Sequence, residues 1–416
     1  MGAVGVFQFL SISLQPRSTA YDVDRSIFDS RPISGVENMP RPLPTADLLA
    51  RRGSWDPSSH HGFVMIGSLL HFARGRFAVG FMGLFPLGSF QEQQPFFSDE
   101  REQYFSNSLH FELYEDRLRT NVVVLGAGWK FLENVSLGAG VTMSTSAFTR
   151  ANIFMPDASQ QNESHMNTSV AVNTRFIPHV GLLWNPSQDI RVTGVLHAPA
   201  GSPTRGESAV QFWNYRPDTG DTAVVQKFRM VYGYEPLRVA LGIAAGTGRP
   251  SERWEVGVGW RYEQWSKYED RHGERPVDSW NNTMIWSAGA RRTFWGVHVL
   301  GLDAAFVPSP VPEQKGRANY VDNDRVTLAV GYESRVDLRW TAGVSASANF
   351  LLARSHTKDP AAVDPVYDEY PDSTHIFTGE FLPQSDGFQT NNPGFPGFSS
   401  SGFIFTIMGY VKIETN

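Results

Sequence analysis

Over stretch after stretch of this chain every second residue is apolar, and the stretches are joined in turn by a tight turn and a long polar segment. In Trp254–Glu263, Trp254, Val256, Val258, Trp260 and Tyr262 alternate with Glu255, Gly257, Gly259, Arg261 and Glu263. A strand points successive side chains to opposite faces, so one face here is greasy and aromatic and the other small or charged. Leu338–Phe350 repeats the pattern, setting Leu338, Trp340, Val344 and Phe350 against Arg339, Thr341, Ser345 and Asn349. So does a stretch further upstream, with Met284, Trp286, Ala288 and Ala290 against Thr283, Ser287, Gly289 and Arg291. Alternation of this kind, with aromatic ends and sorted connections, describes an all-β fold: a transmembrane antiparallel β-barrel.

About fourteen strands are expected, near 3–14, 62–73, 76–88, 107–131, 134–151, 167–185, 188–214, 223–246, 251–268, 279–294, 297–309, 323–335, 338–354 and 400–413. Short connections fall at Arg74-Gly75, Leu132-Glu133, Asn185–Ser187, Gly246–Pro250, Trp295-Gly296 and Val336-Asp337, carrying the Gly, Pro, Asn and Asp that tight turns demand. Long ones lie between, the largest near 15–61, 89–106 and 355–399. A long connection comes first and last, which suits an even-stranded barrel of one domain, 1–416, with both termini on its short-turn side and long loops outside. A soluble β-sandwich has no reason to sort its loops so.

Composition agrees where it bears on this. Among 416 residues are 38 Gly, 11 Trp and 29 Phe, and only 19% are charged. No apolar run is long enough for a membrane-crossing helix, which takes about 18 residues or more. The chain has no cysteine, which excludes thiolate metal sites, cysteine nucleophiles and disulfides. A net charge of -6 gives no reason to expect nucleic acid as a partner. Met1–Leu10 lacks the basic residue and small-residue cleavage site of a secretory leader and reads as a strand, so a leader is expected upstream of this start.

Phe77–Phe90 departs from the alternation, because both of its faces are apolar. Such a strand is either covered inside by a plug or loop, or faces a lumen that holds an apolar ligand. Pro86 sharpens the choice. Proline lacks the N–H that a ladder needs, so Pro86, followed by Gly88, either ends the strand at the membrane rim or kinks the wall and opens a gap toward lipid.

Five stretches, in order over about 60–335, resemble the FadL/TodX-type family of outer-membrane transporters for long-chain fatty acids and aromatic hydrocarbons. They are Phe77–Gly88, similar to the family's third strand; Leu125–Val141, similar to its strand–turn–strand with a Leu-Ser-Leu-Gly-Ala-Gly core; Pro236–Gly242; Trp260–Tyr268; and Pro308–Gln314 with Val321–Tyr332, where Ser-Pro-Val-Pro leads to an Asp-Arg and the next strand. The resemblance implies a Gram-negative outer-membrane barrel of fourteen strands, closed by a small N-terminal hatch, that passes hydrophobic small molecules without enzymatic chemistry. By the resemblance, ligand leaves sideways at a kink that falls on Phe85, Pro86, Leu87 and Gly88. The following loop, with Phe90, Phe96, Phe97, Tyr104 and Phe105, becomes the capture surface, or else packs on itself. Nothing before Phe7 supplies the hatch's Asn-Pro-Ala-like element, so the hatch is expected to be missing or truncated. The last strand runs on through Glu414, Thr415 and Asn416 instead of ending on an aromatic residue.

Other chemistry finds little footing. His60-His61 sit beside Pro57, and adjacent side chains of an extended segment point apart. Asp322-Asn323-Asp324 lacks the Gly and terminal Glu of a calcium loop. There is no Gly-x-Ser-x-Gly elbow, and the Gly-x-Gly runs lie inside strands rather than before helices. No cofactor is expected. The expected partners are a hydrophobic small molecule and membrane lipid, with the protein acting as a monomer. Arg261, Arg291 and Arg339 are inward by alternation and would suit a ligand carboxylate or a salt-bridged lumen. A general diffusion porin and an outer-membrane lipase-like enzyme stand as the alternatives.

Overall fold

The alternating segments are strands. The computed structural model of the chain describes residues 1–14, 54–55, 58–87, 122–155, 165–212, 222–270, 275–316, 318–359 and 397–414. Its strands are β1 (Gly2–Leu14), β2 (Ser54–Trp55), β3 (Ser58–Phe72), β4 (Phe77–Pro86), β5 (Val122–Leu132), β6 (Val135–Met155), β7 (His165–Trp184), β8 (Ile190–His197), β9 (Ala200–Phe212), β10 (Thr222–Glu235), β11 (Arg238–Arg249), β12 (Glu252–Glu263), β13 (Thr283–Phe294), β14 (His298–Val307), β15 (Arg325–Arg335), β16 (Trp340–Thr357) and β17 (Gly397–Ile413). All but β2, β9 and β10 form the wall, each antiparallel to its neighbours. The first strand closes the ring, pairing with β17 (Gly2↔Tyr410, Phe7↔Phe405) and with β3 (Val4↔Phe63), which makes a 14-strand transmembrane barrel. Among the described residues no helix is long and apolar enough to cross a membrane.

The two faces of the wall are set by which side chains reach one another. Tyr410 on β17 donates its hydroxyl to Glu333 on β15 at 2.5 Å, across β16. Arg191 on β8 meets Glu255 on β12 at 3.7 Å, across β11. Side chains two strands apart converge only on the concave side, so this parity faces the lumen. The other parity carries Leu241, Val256, Val258, Trp286, Leu302, Leu328 and Ile407, large apolar side chains left exposed, as a lipid-facing surface requires. On that face Arg292 lies over the rings of Phe294 (4.5 Å) and Trp254 (5.1 Å) near the short-turn end. A guanidinium among aromatics at a barrel rim is where a headgroup layer accepts charge.

Some of the short turns place residues in the left-handed region. Trp295 (φ 50) and Gly296 (φ 69) close β13–β14, and Gly248 (φ 103) bends the end of β11. Gly248 must be glycine on two counts, because a Cβ there would also strike the Glu252 carbonyl.

The segments 188–214 and 223–246, expected as single strands, are each broken. The first splits at Ala198-Pro199 into β8 and β9, the second at Pro236-Leu237 into β10 and β11. Proline cannot continue the ladder. Below the breaks β8 and β11 pair within the wall (Arg238↔His197). Above them β9 and β10 form a hairpin that leaves the wall, and β9 runs parallel along β6 (Ala147↔Thr204).

One contact inside the wall is exacting. The Tyr410 ring lies over Gly343 of β16, where any Cβ would collide with it, and only so does its hydroxyl reach Glu333. Gly343→Ala should therefore displace the ring and lose a hydrogen bond to a charged group, about 1.5–3 kcal/mol. In thermal unfolding followed by heat-modifiable gel migration, Gly343→Ala should destabilise the barrel, and adding Tyr410→Ala should cost less than the sum of the single changes.

Candidate functional site

The lumen has two unlike walls. On β1, β3, β4 and β5 the inward parity is mostly apolar, with Val4 and Val6, Phe63 and Met65, Met82 and Leu84, and Val122 and Val124, interrupted by Gln8, His61 and His71. Neighbouring registers join them into one surface, since Met65 pairs Leu84 and Leu84 pairs Val122. From β8 through β15 the inward parity is charged. Glu263 bridges Arg238 (3.2 Å) and Arg261 (3.1 Å), Arg191 meets Glu255, and Arg253 meets Asp189 at 3.0 Å. Two cavities lie along this wall. One of about 580 Å³ is lined by Arg238, Arg261, Glu263 and Arg325 with Ile285, Val307, Pro308 and Pro310. One of about 300 Å³ is lined by Arg191, Glu255, Arg291 and Asp303 around Gly257, Gly259 and Gly289. Inward glycines make the room: a Cβ at Gly289 would meet the Asp303 carboxylate, and one at Gly259 the Ser287 hydroxyl.

The long-loop mouth of the charged half is filled. Trp265, Tyr268, Trp280, Val311 and Tyr320 form a buried cluster from the β12–β13 and β14–β15 connections. Tyr268 stacks on Trp280 at 3.7 Å, and Tyr320 meets the Trp280 ring edge-on at 5.3 Å. Offset and edge-on aromatic pairs add about 0.5–1.5 kcal/mol each beyond their burial. Around them buried polar groups are tied to the upper ends of β16 and β17. Arg354 donates to the Ser309 hydroxyl (2.8 Å) and to the Val311 and Asp322 carbonyls (2.5 and 3.3 Å). Lys358 donates to the carbonyls of Gly316 (2.8 Å) and Ala318 (2.5 Å). His356 accepts the Gln314 N–H on Nδ1 at 3.1 Å. Burial pushes the Asp322 carboxyl up, while Arg325, 3.9 Å away, pulls the other way.

The β4 edge carries a specific defect. The ladder to β3 continues through Phe63↔Pro86, and the Leu87 N–H reaches the Gly62 carbonyl at 2.6 Å. The described ladder to β5 ends at Leu84↔Val122. Successive residues of a strand direct their N–H and C=O to opposite edges. Since Leu87 bonds toward β3, the N–H that Pro86 lacks belongs to the β5 edge.

The residues singled out from sequence fall as follows. Phe85 and Pro86 end β4, and Leu87 follows, exposed. Gly88, Phe90, Phe96, Phe97, Tyr104 and Phe105 lie outside the described residues, as do most of the segments 15–61, 89–106 and 355–399. Arg261 and Arg291 face the lumen, one in each cavity. Arg339 sits in the exposed turn before β16, its N–H on the Asp337 carboxylate at 2.6 Å, and lines neither cavity. Arg238 and Arg325 belong with Arg261 although alternation did not single them out; both stand in stretches that carried the family resemblance, Pro236–Gly242 and Val321–Tyr332. Arg354, His356 and Lys358 gave no such signal.

No protein-family model matches the chain, and no curated protein matches it. Solved structures do. The chain is similar to a FadL homologue of Pseudomonas aeruginosa, with a TM-score of 0.51, 14% identity, 99% of this chain and 90% of that one covered. It is also similar to the P. putida toluene transporter TodX (TM-score 0.49, 9% identity, 100% and 90% covered) and to the Ralstonia pickettii toluene transporter TbuX (0.41, 9%, 100% and 90%). The first of these likenesses shows the fold, a barrel of the kind expected. The second and third of these structures are of toluene transporters.

The mouth should respond to acid. His356 stands sixteen residues beyond the short-turn end of β16, past the roughly 9–11 that cross a bilayer. Burial holds its pKa down to about 3 from 6.5, and neighbouring Arg354 and Lys358 push the same way, while the Gln314 N–H needs Nδ1 unprotonated. Burial also holds Lys358 down to about 7 from 10.5, against Asp278. A base whose folded value is depressed supports the fold fully above its ordinary value and loses that support as pH falls toward the folded one. His356 therefore sets a window from pH 6.5 down to about 3. Cleavage after Glu313 by an acid-tolerant glutamyl endoprotease should rise several-fold from pH 7 to pH 4, and His356→Gln should flatten that rise.

Proposed function

We propose that this protein is a passive outer-membrane transporter of hydrophobic small molecules, long-chain fatty acids or aromatic hydrocarbons, in a Gram-negative cell. The observation that carries the reading is the apolar half of the lumen. It runs over β1, β3, β4 and β5 and crosses the β4–β5 edge, where Pro86 removes a ladder donor. An apolar solute moving from water onto such a surface gains about 0.8 kcal/mol per buried CH₂. Moving on between surfaces of similar apolarity costs little, so no energy source is required.

In this reading the long connections lie outside the cell, and Phe90, Phe96, Phe97, Tyr104 and Phe105 of the segment 89–106 take solute from water. The solute crosses the apolar wall and leaves sideways at Phe85, Pro86, Leu87 and Gly88. The protein works as a monomer and catalyses nothing. The names of the matched structures, a FadL homologue and two toluene transporters, support the substrate class. Arg261 and Arg291 offer a countercharge should the solute be an acid. The charged wall and its cavities favour a second reading, a general diffusion porin.

Mass spectrometry of lipids that co-purify from outer membranes in mild detergent separates the two. A stoichiometric fatty acid or hydrocarbon is expected, and a barrel holding only bulk membrane lipid would favour the porin. For the exit, Pro86→Ala restores the missing donor. It should leave folding intact and reduce uptake of a labelled hydrocarbon or fatty acid several-fold; unchanged uptake would remove the lateral exit.

A further inference from the structure

A connection between adjacent antiparallel strands needs only a few residues, and a long one normally runs over the surface with its backbone in water. The segment from Pro308 to Asp324, which joins β14 to β15, does neither. Val311, Gln314, Asn319, Asp322 and Asn323 are buried at 0–1% exposure.

Its direction is inward. Asn323 donates from Nδ2 to the carbonyls of Leu352 (2.8 Å) and Ser400 (2.9 Å), and the Ser400 hydroxyl donates back to its Oδ1 at 3.1 Å. One side chain beside β15 thus reaches across β16 to β17, which is possible only on the concave side. At the other end the Asn281 N–H bonds the Pro310 carbonyl at 2.7 Å, tying the segment to the β12–β13 connection. Pro308 and Pro310 line the 580 Å³ cavity together with lumen-facing Arg261, Thr327 and Asn349. The segment is therefore a cover above the charged wall.

The cover is pinned. Arg354 and Lys358 together satisfy four of its backbone carbonyls, and removing either cation leaves buried acceptors without donors. Arg354 also holds the Ser309 hydroxyl at the start of the segment. Its inward direction comes from a register shift between Leu351 and Arg354.

We propose that Pro308–Asp324 is a fixed seal, pinned by Arg354 and Lys358, that closes the charged half of the lumen at its long-loop mouth to ions and hydrophilic solutes. The seal excludes polar cargo from a barrel whose other wall is apolar. Arg354 and Lys358 then set what the barrel refuses, without touching what it carries.

The test uses the full chain in planar lipid bilayers, with ion conductance as the readout, so its outcome is independent of apolar uptake. The intact protein should conduct weakly. Arg354→Ala, or replacement of 311–321 by a short Gly-Ser link, should raise single-channel conductance several-fold in barrels shown folded by heat-modifiable migration. Folded variants with unchanged conductance would overturn the proposal. A second measurement leaves the seal intact and does not depend on those variants folding. The chain has no cysteine, so Ile285→Cys beneath the cover, where Ile285 is 5% exposed, and Val277→Cys on the surface, where Val277 is 97% exposed, can each be labelled alone. With a charged, membrane-impermeant thiol reagent added from the long-loop side, Ile285→Cys should react at least about tenfold more slowly, as a site reached only by local opening does. Equal rates would also overturn the proposal.

Discussion

Everything in this barrel depends on the need to satisfy backbone hydrogen bonds where no water can do it. In hydrocarbon an unpaired N–H or C=O costs several kcal/mol, so a sheet that crosses a membrane must have no open edge. The β1–β17 ladder, from Gly2↔Tyr410 to Leu14↔Phe398, meets that demand by joining the ends of the chain. It also places Met1 against Val411, each donating to the other's carbonyl at 2.9 Å, so β1 and β17 pair from Met1 onward. The same demand gives Pro86 its meaning. A proline is one missing donor, and Pro86 places that missing donor at the β4–β5 edge.

Closure fixes the alternation, and alternation leaves the inward face free to vary. The outward face must be apolar all round. The inward one is mostly apolar on β1, β3, β4 and β5 and carries charged pairs from β8 to β15 because nothing in the fold forces either. Its charges are paired across strands, as in Arg238–Glu263 and Arg191–Glu255, which spreads the cost of holding them in a narrow lumen. Glycines between them, such as Gly259 and Gly289, give the side chains of neighbouring strands the space to lie flat along the wall.

The wall was legible in the sequence because lipid imposes a period of two, and strand after strand ends within a few residues of where the alternation stops. Trp254–Glu263 is the clearest case. Pro199 and Pro236 were legible as breakers but were overridden by the apolar runs around them, so β9 and β10 were read as continuations of the wall rather than as a hairpin that leaves it. The mouth was not legible. Pro308–Asp324 is rich in Pro, Asn and Asp, a composition that reads as a solvated loop, and its burial is tertiary. Arg354 shows why alternation fails there. Counting by twos from Leu351 sends it to lipid, and only the shifted register, Arg354↔Ser400, turns it inward. A charged residue at a lipid-facing count was the signal for that shift.

The two halves of the lumen need each other. A wholly apolar lumen of this width would lose the inward polar contacts, such as Tyr410–Glu333, that tie strands to one another two apart. A wholly charged one would fill with water and offer an apolar solute no gain. In the proposed reading the charged half is capped by a pinned aromatic cover and the apolar half reaches the β4–β5 edge, which keeps polar and apolar surfaces apart. The cover meets the polar half over β12 to β17, and the defect lies across the ring at β4 and β5. Selectivity on this view comes from where the barrel is tight and where it is loose, and both are decided by single donors: the Arg354 guanidinium that is present and the Pro86 N–H that is not.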